Sequence, residues 1–226
     1  MRSVLVFIVA TSFLLKTNAQ TANEFQRSSP RMLAFKNLPG DDKVETVQSN
    51  FLSQTWRPGT VYFKNSANKM DVPLMFDVYN NQLYFLKDSM VMEFIQPVRE
   101  FFIAVVEKND TVDVHFRNGY PPIHRNTDDT FYEVLVDGKF QLLKCKAKTI
   151  ALYKDKDVPE EDRDYAKQLL YAVGPDSKIV LVKADKDYML KTLPDYAGAI
   201  QKICSDQKLK LKNESQLHDL FLALNQ

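Results

Sequence analysis

The sequence predicts an α+β protein in which an antiparallel β-meander, an open or partly closed sheet, is followed by a small C-terminal helical segment. After residue 57, short runs of Val, Tyr, Phe and Leu alternate with turn residues about every eight to twelve positions, which is typical of antiparallel strands. Nearer the C-terminus, apolar residues recur at three- and four-residue spacing behind helix-capping residues. Hydrophobic residues make up 45% of the chain, which is enough to build a core for both parts.

The N-terminus has the three parts of a secretory signal peptide. Arg2 precedes an apolar run over residues 4–15, and Thr17 and Ala19 are small residues suited to cleavage after Ala19. The run of about 12 residues is shorter than the roughly 18 that a membrane-spanning helix needs. We therefore expect residues 1–19 to be a signal peptide and the protein to be exported to the periplasm or the extracellular space. No transmembrane span is expected after cleavage.

The next two segments differ in composition and hydrophobic pattern. Residues 20–56 are polar and mixed, which predicts an irregular N-terminal lead with a short helix near residues 42–52. Residues 57–153 form the predicted antiparallel β-rich domain. Within it, the pair Asn80-Asn81 favours a two-residue hairpin turn, because asparagine tolerates positive φ. The first six predicted strands cover residues 60–64, 72–79, 82–87, 90–95, 100–107 and 112–117.

The clearest hairpin signal is the pair Asp137-Gly138, which lies between the runs FYEVLV and KFQLLKCKA. A type I′ turn needs positive φ at both central positions, and these two residue types accept it. Each face of this hairpin is then expected to carry an apolar cross-strand pair. The expected pairs are Leu135 with Phe140 and Tyr132 with Leu143.

Residues 154–226 are predicted to form a helical segment with one short strand, packed on the sheet. A proline near the start of residues 155–172 and acidic residues in the first turn favour a helix there, with an exposed charged loop as the alternative. The alternation LKLK before the last helix predicts that Leu209 and Leu211 are buried while the lysines stay in water. The remaining predicted elements are a strand over 178–183 and helices over 186–192, 195–205 and 214–225.

Two parts of the chain resemble known sequences. The C-terminal stretch 177–225 combines an LPD step at 193–195, a lysine-rich turn at 208–212 and an Asn213-Glu214 pair. The middle of the chain reads VPLMFDVYNNQLYFL at 72–86 and FYEVLVDGKFQLLKCKAKTI at 131–150. In these features the chain resembles a family of uncharacterised secreted or periplasmic proteins of Bacteroidota. The resemblance implies export and an α+β fold, but no activity, substrate or cofactor.

The charge balance argues against nucleic-acid binding. The full chain has 30 Lys and Arg against 29 Asp and Glu, and loss of the signal peptide removes Arg2 and Lys16. No basic surplus remains to neutralise a phosphate backbone. The sequence also contains no glycine-rich nucleotide-binding motif and no GxSxG nucleophile motif. It therefore predicts no cofactor and favours a non-catalytic protein.

The two cysteines, Cys145 and Cys204, leave two alternatives open. An exported chain permits a disulfide, which would tie the β-rich part to the helical tail. Two buried free thiols fit the sequence equally well.

The loop over residues 118–129 is the candidate binding surface. It places rigid and polar groups at the end of a hairpin, where binding residues are often held above a sheet. The alternative is a proline-stiffened connection that covers a sheet edge. Ligand or partner contacts are expected from Tyr120, Ile123, His124 and Arg125.

A metal site near the same loop is a weaker candidate. Imidazole and carboxylate groups are common metal ligands, and four of them occur close together in the sequence. No fixed ligand spacing such as HExxH accompanies them, so no metal is predicted. The four residues are His115, His124, Asp128 and Asp129.

Three functional hypotheses follow. The first is an exported, non-catalytic binding or structural module of the cell envelope, with another envelope or extracellular protein as partner. The alternative is a carrier of a small apolar ligand with a barrel-like cavity, favoured by the 15 Phe and 10 Tyr. The third is a metal-dependent hydrolase that uses the histidines and aspartates named above.

Overall fold

The computed structural model of the protein describes residues 51–107, 110–150 and 164–226. The predicted signal peptide over 1–19 lies outside the described residues. So do residues 20–50 of the predicted N-terminal lead and almost all of the helix expected near 42–52. Among the helices of the described residues, none combines the length and the apolar character needed to cross a membrane.

The described residues form one antiparallel sheet of ten strands and three C-terminal helices. The α+β class is therefore confirmed. The strands are β1 (Arg57–Phe63), β2 (Lys69–Asp77), β3 (Gln82–Lys87), β4 (Met90–Glu93), β5 (Val98–Glu107), β6 (Asp110–Arg117), β7 (Tyr132–Val136), β8 (Gln141–Ile150), β9 (Asp164–Val173) and β10 (Ile179–Val182). The helices are α1 (Lys186–Thr192), α2 (Ala197–Asp206) and α3 (Glu214–Leu224), with a 3-10 turn at Pro194–Tyr196 before α2.

The sheet consists of two meanders joined by one crossover. Its strand order is β10-β9-β8-β7-β6-β5-β1-β2-β3-β4, so β4 and β10 are its edges and the hydrogen-bonded sheet is not closed. After β4 the chain returns past β3 and β2, and β5 pairs with the free side of β1, with Gly59 opposite Ile103. A backbone bond of 2.8 Å from Lys64 N to Pro97 O fixes this return.

The first six strands curl around an aromatic core. Phe76 in β2 and Phe116 in β6 are separated by β1 and β5, so in a flat sheet their strands would lie roughly 14 Å apart. Their ring centroids are only 4.8 Å apart, and both rings also pack against Phe101 in β5. The buried residues of this cluster are Val61, Phe63, Leu74, Phe76, Leu83, Phe85, Met92, Val98, Phe101, Ile103 and Phe116.

The other half of the sheet is covered on both faces. Leu142 and Leu143 are neighbours in β8 and therefore point to opposite faces. Leu142 belongs to the cluster beneath the three helices, and Leu143 belongs to a second cluster with Tyr120 and Tyr132. The first cluster contains Val136, Phe140, Leu142, Ala172, Val182, Met189, Ile200, Cys204, Leu211, Leu217, Leu220 and Phe221.

The helices begin where capping predicts. Asp185 accepts a hydrogen bond of 2.7 Å from Tyr188 N at the start of α1, and Asn213 accepts one of 3.0 Å from Gln216 N at the start of α3. At its other end, α3 is tied to the β7–β8 turn by Asn225, whose side-chain amide donates to Phe140 O and accepts from Phe140 N, both at 2.8 Å.

The LKLK segment before α3 is placed as predicted. Leu211 is buried and Leu209 is half-buried, and both belong to or pack against the cluster beneath the helices. The three lysines of the segment are exposed. The basic stretch is thus the solvated rim of a packed connection.

The prediction of a helix over 155–172 is wrong where that stretch is described. Residues 164–172 belong to β9, which pairs with β8 along its whole length. Both faces of β9 are buried near its end, with Tyr171 on one side and Ala172 on the other. Two-sided burial produces a continuous apolar run, in which the period of two that marks a strand is lost. The segment after residue 154 therefore contributes two strands to the sheet, not one.

Both predicted tight turns are longer in the structure. Asp77 pairs with Gln82, so β2 and β3 are joined by a loop over residues 78–81, whose backbone Tyr79 N and Asn80 N donate to the Asp77 carboxylate. In the second hairpin, a bulge between Val134 and Val136 shifts the register. The observed pairs there are Val134 with Leu143 and Val136 with Leu142, which replace the two pairs expected from a two-residue turn.

Truncation of Phe221 should expose the dependence of the fold on helix α3. Phe221 is 0% exposed and its neighbour Leu222 is 45% exposed. Phe221→Ala should lower the free energy of unfolding by about 3–5 kcal/mol, because it leaves a cavity in the core. Leu222→Ala, the matched control, should change it by less than about 0.5 kcal/mol. Urea denaturation measures both values, and equal losses would contradict the assigned packing of α3.

Two glycines should respond to alanine in opposite directions. A Cβ added at Gly59 would lie 2.6 Å from Phe102 O of the paired strand, whereas one added at Gly198 in α2 meets nothing within 4 Å. Gly59→Ala should destabilise the protein by about 1–3 kcal/mol through overpacking. Gly198→Ala should stabilise it by about 0.5–1 kcal/mol, because alanine is the better helix former. Thermal unfolding of both variants tests the pairing of β1 with β5.

Candidate ligand-binding cleft

A cleft of about 210 Å³ opens at one end of the curled half of the sheet. Three connections meet there: the loop over residues 78–81, the β4–β5 connection, and the two ends of the loop 118–129. The part of its lining that the structure describes is mainly amide and apolar, with a single ionisable side chain. The lining residues are Asn81, Gln82, Leu83, Phe94, Gln96, Pro97, Val98, Asn118, Asp129 and Phe131.

Asn118 is the lining residue with an unmet hydrogen-bonding requirement. It follows β6 directly, and its backbone N donates to Arg99 O at 3.1 Å while its side-chain Nδ2 donates to Val98 O at 2.9 Å. The residue is 7% exposed, and no group of the residues that the structure describes donates a hydrogen bond to its Oδ1. A buried acceptor left unpaired costs about 1–3 kcal/mol. The Oδ1 atom is itself buried, so Asn118 contributes to the wall of the cleft through its bond to Val98 O.

The walls of the cleft are held by hydrogen bonds between distant parts of the chain. The Asn81 amide accepts from Phe131 N at 2.8 Å and donates to Asp129 O at 3.1 Å. Lys64 Nζ lies 2.8 Å from Asp129 Oδ1. Positive φ at Asn81 and Gly119, 57° and 90°, gives the loops the bends that they need at these points. The cleft is therefore built by the fold and is present before any ligand enters.

The cleft carries little net charge. Among the described residues, Asp129 is its only ionisable lining residue; its side chain is 78% exposed and pairs with Lys64. The amides of Gln82 and Gln96 offer both donors and acceptors. On the apolar side, the Phe94 ring packs 4.5 Å from Phe85, centroid to centroid, and so is supported from within the core.

The residues predicted to make contacts from the loop 118–129 lie elsewhere. Tyr120 is buried among Tyr132 and its neighbours, and its hydroxyl donates to Gln141 Oε1 at 2.8 Å. Burial raises the pKa of Tyr120 to about 12, so its phenol stays neutral. Ile123 is half-buried and forms a backbone bridge with Asn126. Both residues hold the loop down on the sheet.

His124 and Arg125 stand exposed at the tip of that loop, and His124 has a positive φ of 55°. Neither residue lines the cleft. The residues of this loop that line the cleft are its two end residues, Asn118 and Asp129. The sequence signal for these ends is weak, because single asparagines and aspartates are common in any turn.

The four residues of the weaker metal hypothesis are not assembled into a site. His115 Nε2 lies 3.0 Å from Glu100 Oε2, and the imidazole stacks on Phe102 at 4.3 Å. Asp129 pairs with Lys64, and His124 and Asp128 are exposed. Within residues 51–107, 110–150 and 164–226, no group of three or more His, Cys, Asp or Glu side chains is placed to hold a metal ion.

His115 belongs instead to a charged network across β5, β6 and the β7–β8 turn. Glu100 also accepts from Arg117 Nε at 2.8 Å and from Arg99 at 2.7 Å. Arg117 reaches Asp137 with its other two nitrogens, at 3.0 and 2.9 Å. Burial would raise the pKa of Glu100, but hydrogen bonds from Arg117 and His115 outweigh it and lower that pKa. The network fixes the turn that Asn225 holds from the other side.

Cys145 and Cys204 do not form a disulfide in the structure. Cys204 is a buried free thiol in the cluster beneath the helices, so the bridge to Cys145 is not formed. Cys145 packs in the cluster on the opposite face, 3.8 Å from Asn126 Nδ2. Burial raises the pKa of Cys145 to about 11, which keeps the thiol protonated and unreactive at neutral pH.

The curled half of the sheet also has a cavity of about 40 Å³, lined by Phe76, Phe116 and Phe131 and by polar side chains that include Glu133 and Lys144. Small-molecule sites are typically about 300–1,000 Å³. This space is too small for a carried ligand, because the aromatic rings of the core fill the interior.

Replacement of Glu100 should lower the free energy of unfolding at neutral pH and should change it little at acidic pH. Because folding lowers the Glu100 pKa from 4.5, its stabilising effect is full above pH 4.5 and is lost as the pH falls through the folded-state pKa. Glu100→Gln should cost about 1–3 kcal/mol at pH 7, since it weakens charge-assisted hydrogen bonds. Urea denaturation from pH 7 to below pH 4 should show the difference from the natural protein shrinking.

Asp128→Asn is the control for this experiment, because the Asp128 side chain is exposed. It should change stability by less than about 0.5 kcal/mol at any pH tested. A Glu100→Gln difference that stays constant across the titration would contradict a role for the Glu100 charge.

No protein-family model, curated protein or solved structure matches the chain. The resemblance to secreted proteins of Bacteroidota therefore stays a prediction.

Proposed function

We propose that this protein is an exported, non-catalytic binding module that holds a small polar ligand in the cleft between Asn81, Phe94, Asn118 and Asp129. The observation that carries the proposal is the cleft itself, whose walls are joined by the hydrogen bonds of the Asn81 amide with Phe131 N and Asp129 O. Its polar lining is rich in amides, which both donate and accept hydrogen bonds.

The rigidity of the cleft supports a binding role. Asn81 joins its two walls with hydrogen bonds of 2.8 and 3.1 Å, and Lys64 anchors Asp129. A site that is already formed loses less conformational entropy when it binds, so a larger share of the contact energy appears as affinity. Loops that only cover a sheet edge do not require such cross-links.

The lining chemistry favours binding over catalysis. General acid–base or nucleophilic catalysis needs a positioned group that can take or give a proton or attack the substrate. Of the lining residues within the described ranges, Asp129 is the only ionisable one, and it is exposed and paired with Lys64. The amides that make up the rest of the polar lining can orient a ligand but do not titrate.

The export part of the proposal is based on the sequence. The charged start, apolar run and small residues before position 20 have the pattern of a signal peptide. The apolar-ligand carrier receives less support, because Phe76, Phe101 and Phe116 fill the space that a barrel-like cavity would need. A ligand taken up at the cleft is held at the rim of the sheet.

The test is an NMR titration of the ¹⁵N-labelled protein with small molecules of five classes: neutral sugars, amides, carboxylates, phosphates and aliphatic alcohols. At least one class should shift the side-chain amide signals of Asn118 and Gln96 in a saturable manner. The amide of Gln201, exposed on α2, should not move. Asn118→Leu should weaken that binding about tenfold, because it disturbs the wall of the cleft to which Asn118 belongs.

Asn118→Leu also removes the bond to Val98 O, so its fold is checked by circular dichroism. Gln96→Ala serves as a second variant, because Gln96 is an exposed lining residue whose loss leaves the core unchanged. The proposal fails if no class moves the signals of Asn118 and Gln96, or if both variants bind as tightly as the natural protein.

A further inference from the structure

We propose that copies of this protein associate with one another edge to edge, with strand β4 of one copy paired to strand β10 of the next. This inference goes beyond the proposed function and does not depend on the cleft. Three properties of the two edges of the sheet are used: the backbone groups on their outer sides, their accessible apolar residues and their opposite charges.

The two outer strands end the ladder of backbone hydrogen bonds. Within the ranges that the structure describes, β4 pairs with β3 alone and β10 pairs with β9 alone. An edge strand presents a row of N–H and C=O groups on its outer side, and these groups can pair with a strand of another chain. Strands β4 and β10 have four residues each, so either one can cover the other along its full length.

Apolar side chains lie at both edges. In β4, Met90 is 40% exposed, and Ile95, shortly after that strand, is 57% exposed. In β10, Val180 and Leu181 are half-buried. Pairing of the two strands would remove part of this apolar surface from water, which favours association.

The charges at the two strands have opposite signs. Asp88 precedes β4 and Glu93 ends it, whereas Lys178 and Lys183 flank β10 directly. The two acids are separated by the same number of residues as the two lysines. An antiparallel ladder between the strands therefore brings a lysine near an acid at each of its ends, and opposite charges across paired strands are stabilising.

Both lysines are accessible to another copy. The Lys178 side chain is 80% exposed and lies 3.0 Å from the carboxylate of Asp176, which is 47% exposed. An ion pair so open to water contributes little, so Lys178 can exchange Asp176 for a carboxylate of a second copy. Lys183 is also exposed, and its Nζ lies 4.9 Å from the ring centroid of Tyr188. The next acid along the chain, Asp185, is engaged as the cap of α1.

The same charges select the partner strand. Two copies of β4 would bring acids together and two copies of β10 would bring lysines together, and like charges that face each other across paired strands are destabilising. The pair of β4 with β10 avoids this repulsion. Each copy offers one edge of each kind, so the contact is head to tail and builds a closed ring or a filament.

The association should be weak and should depend on salt. A ladder of four residues per strand is at the small end of specific protein interfaces, which suits a Kd on the order of 100 μM. Sedimentation velocity of the exported protein, loaded at about 10 μM to about 1 mM, brackets this Kd. The weight-average mass should rise with concentration, and it should rise less in about 500 mM than in about 50 mM NaCl, because salt screens exposed charges.

Charge reversal at the edges tests which strands meet. Lys178→Glu with Lys183→Glu makes both edges acidic, and Asp88→Asn with Glu93→Lys leaves both without a net negative charge. Asparagine is used at residue 88 because Asp88 has a φ of 50°, which asparagine accepts. Each double variant alone should stay monomeric. An equimolar mixture of the two should associate again, because each variant supplies the edge that the other lacks.

Lys202→Glu with Lys210→Glu is the matched control, because both lysines are exposed and neither belongs to or flanks an edge strand. It has the same net charge as the variant with two acidic edges, and it should associate as the natural protein does. Circular dichroism checks the fold of every variant.

The inference is overturned if the natural protein stays monomeric at every concentration, or if either edge variant alone associates as strongly as the natural protein. A mixture that stays monomeric, or a control that loses association as fully as the edge variants, overturns it as well. The cleft titration has a separate readout, so the proposed binding function stands or fails independently of these results.

Discussion

Phe76, Phe101 and Phe116 come from three strands of one sheet, and their rings pack directly on one another. This contact is possible only if the sheet curls, because the strands that carry Phe76 and Phe116 have two others between them. Strand twist gives a sheet the tendency to coil, and burial of the three rings sets how far it goes. The curl in turn brings the loop after β2 against the segment that follows residue 128, where Asn81 bonds Phe131 and Asp129. Without the aromatic core, the two walls of the cleft would lie on separate parts of the surface.

The two halves of the sheet bury their apolar side chains in different ways. The curled half encloses its apolar face by bending over it, so its interior is filled by its own side chains. The other half stays open and requires cover on both faces, which the helices and the loop 118–129 provide. The charged network around Arg117 and the Asn225 amide converge on the β7–β8 turn. Hydrogen bonds are directional, whereas apolar packing is not. The polar groups therefore fix the position of this turn more closely than apolar packing could.

Much of the fold can be predicted from the sequence, and the elements that the sequence does not predict have physical causes. The helix starts at Lys186 and Glu214 follow from the capping residues Asp185 and Asn213, which act locally. Strand β9 is missed because both its faces are buried, so its apolar residues show no alternation. The hairpin register is missed because a bulge is decided by packing at a distance. The sequence marks the loop 118–129 as a candidate but not its end residue Asn118 as a lining residue, because a single asparagine resembles any turn residue.

The crossover between the two meanders also has a consequence for how the chain reaches this structure. Hairpins such as β2–β3 and β3–β4 join neighbouring segments, and such units form within about 1–10 μs. Strand β5 can pair with β1 only after β2, β3 and β4 have been passed, so its contacts are non-local. Loop closure of this kind must precede any gain from the contacts it creates, which slows folding. We therefore expect the β1–β5 ladder, and the aromatic core that depends on it, to form later than the local hairpins.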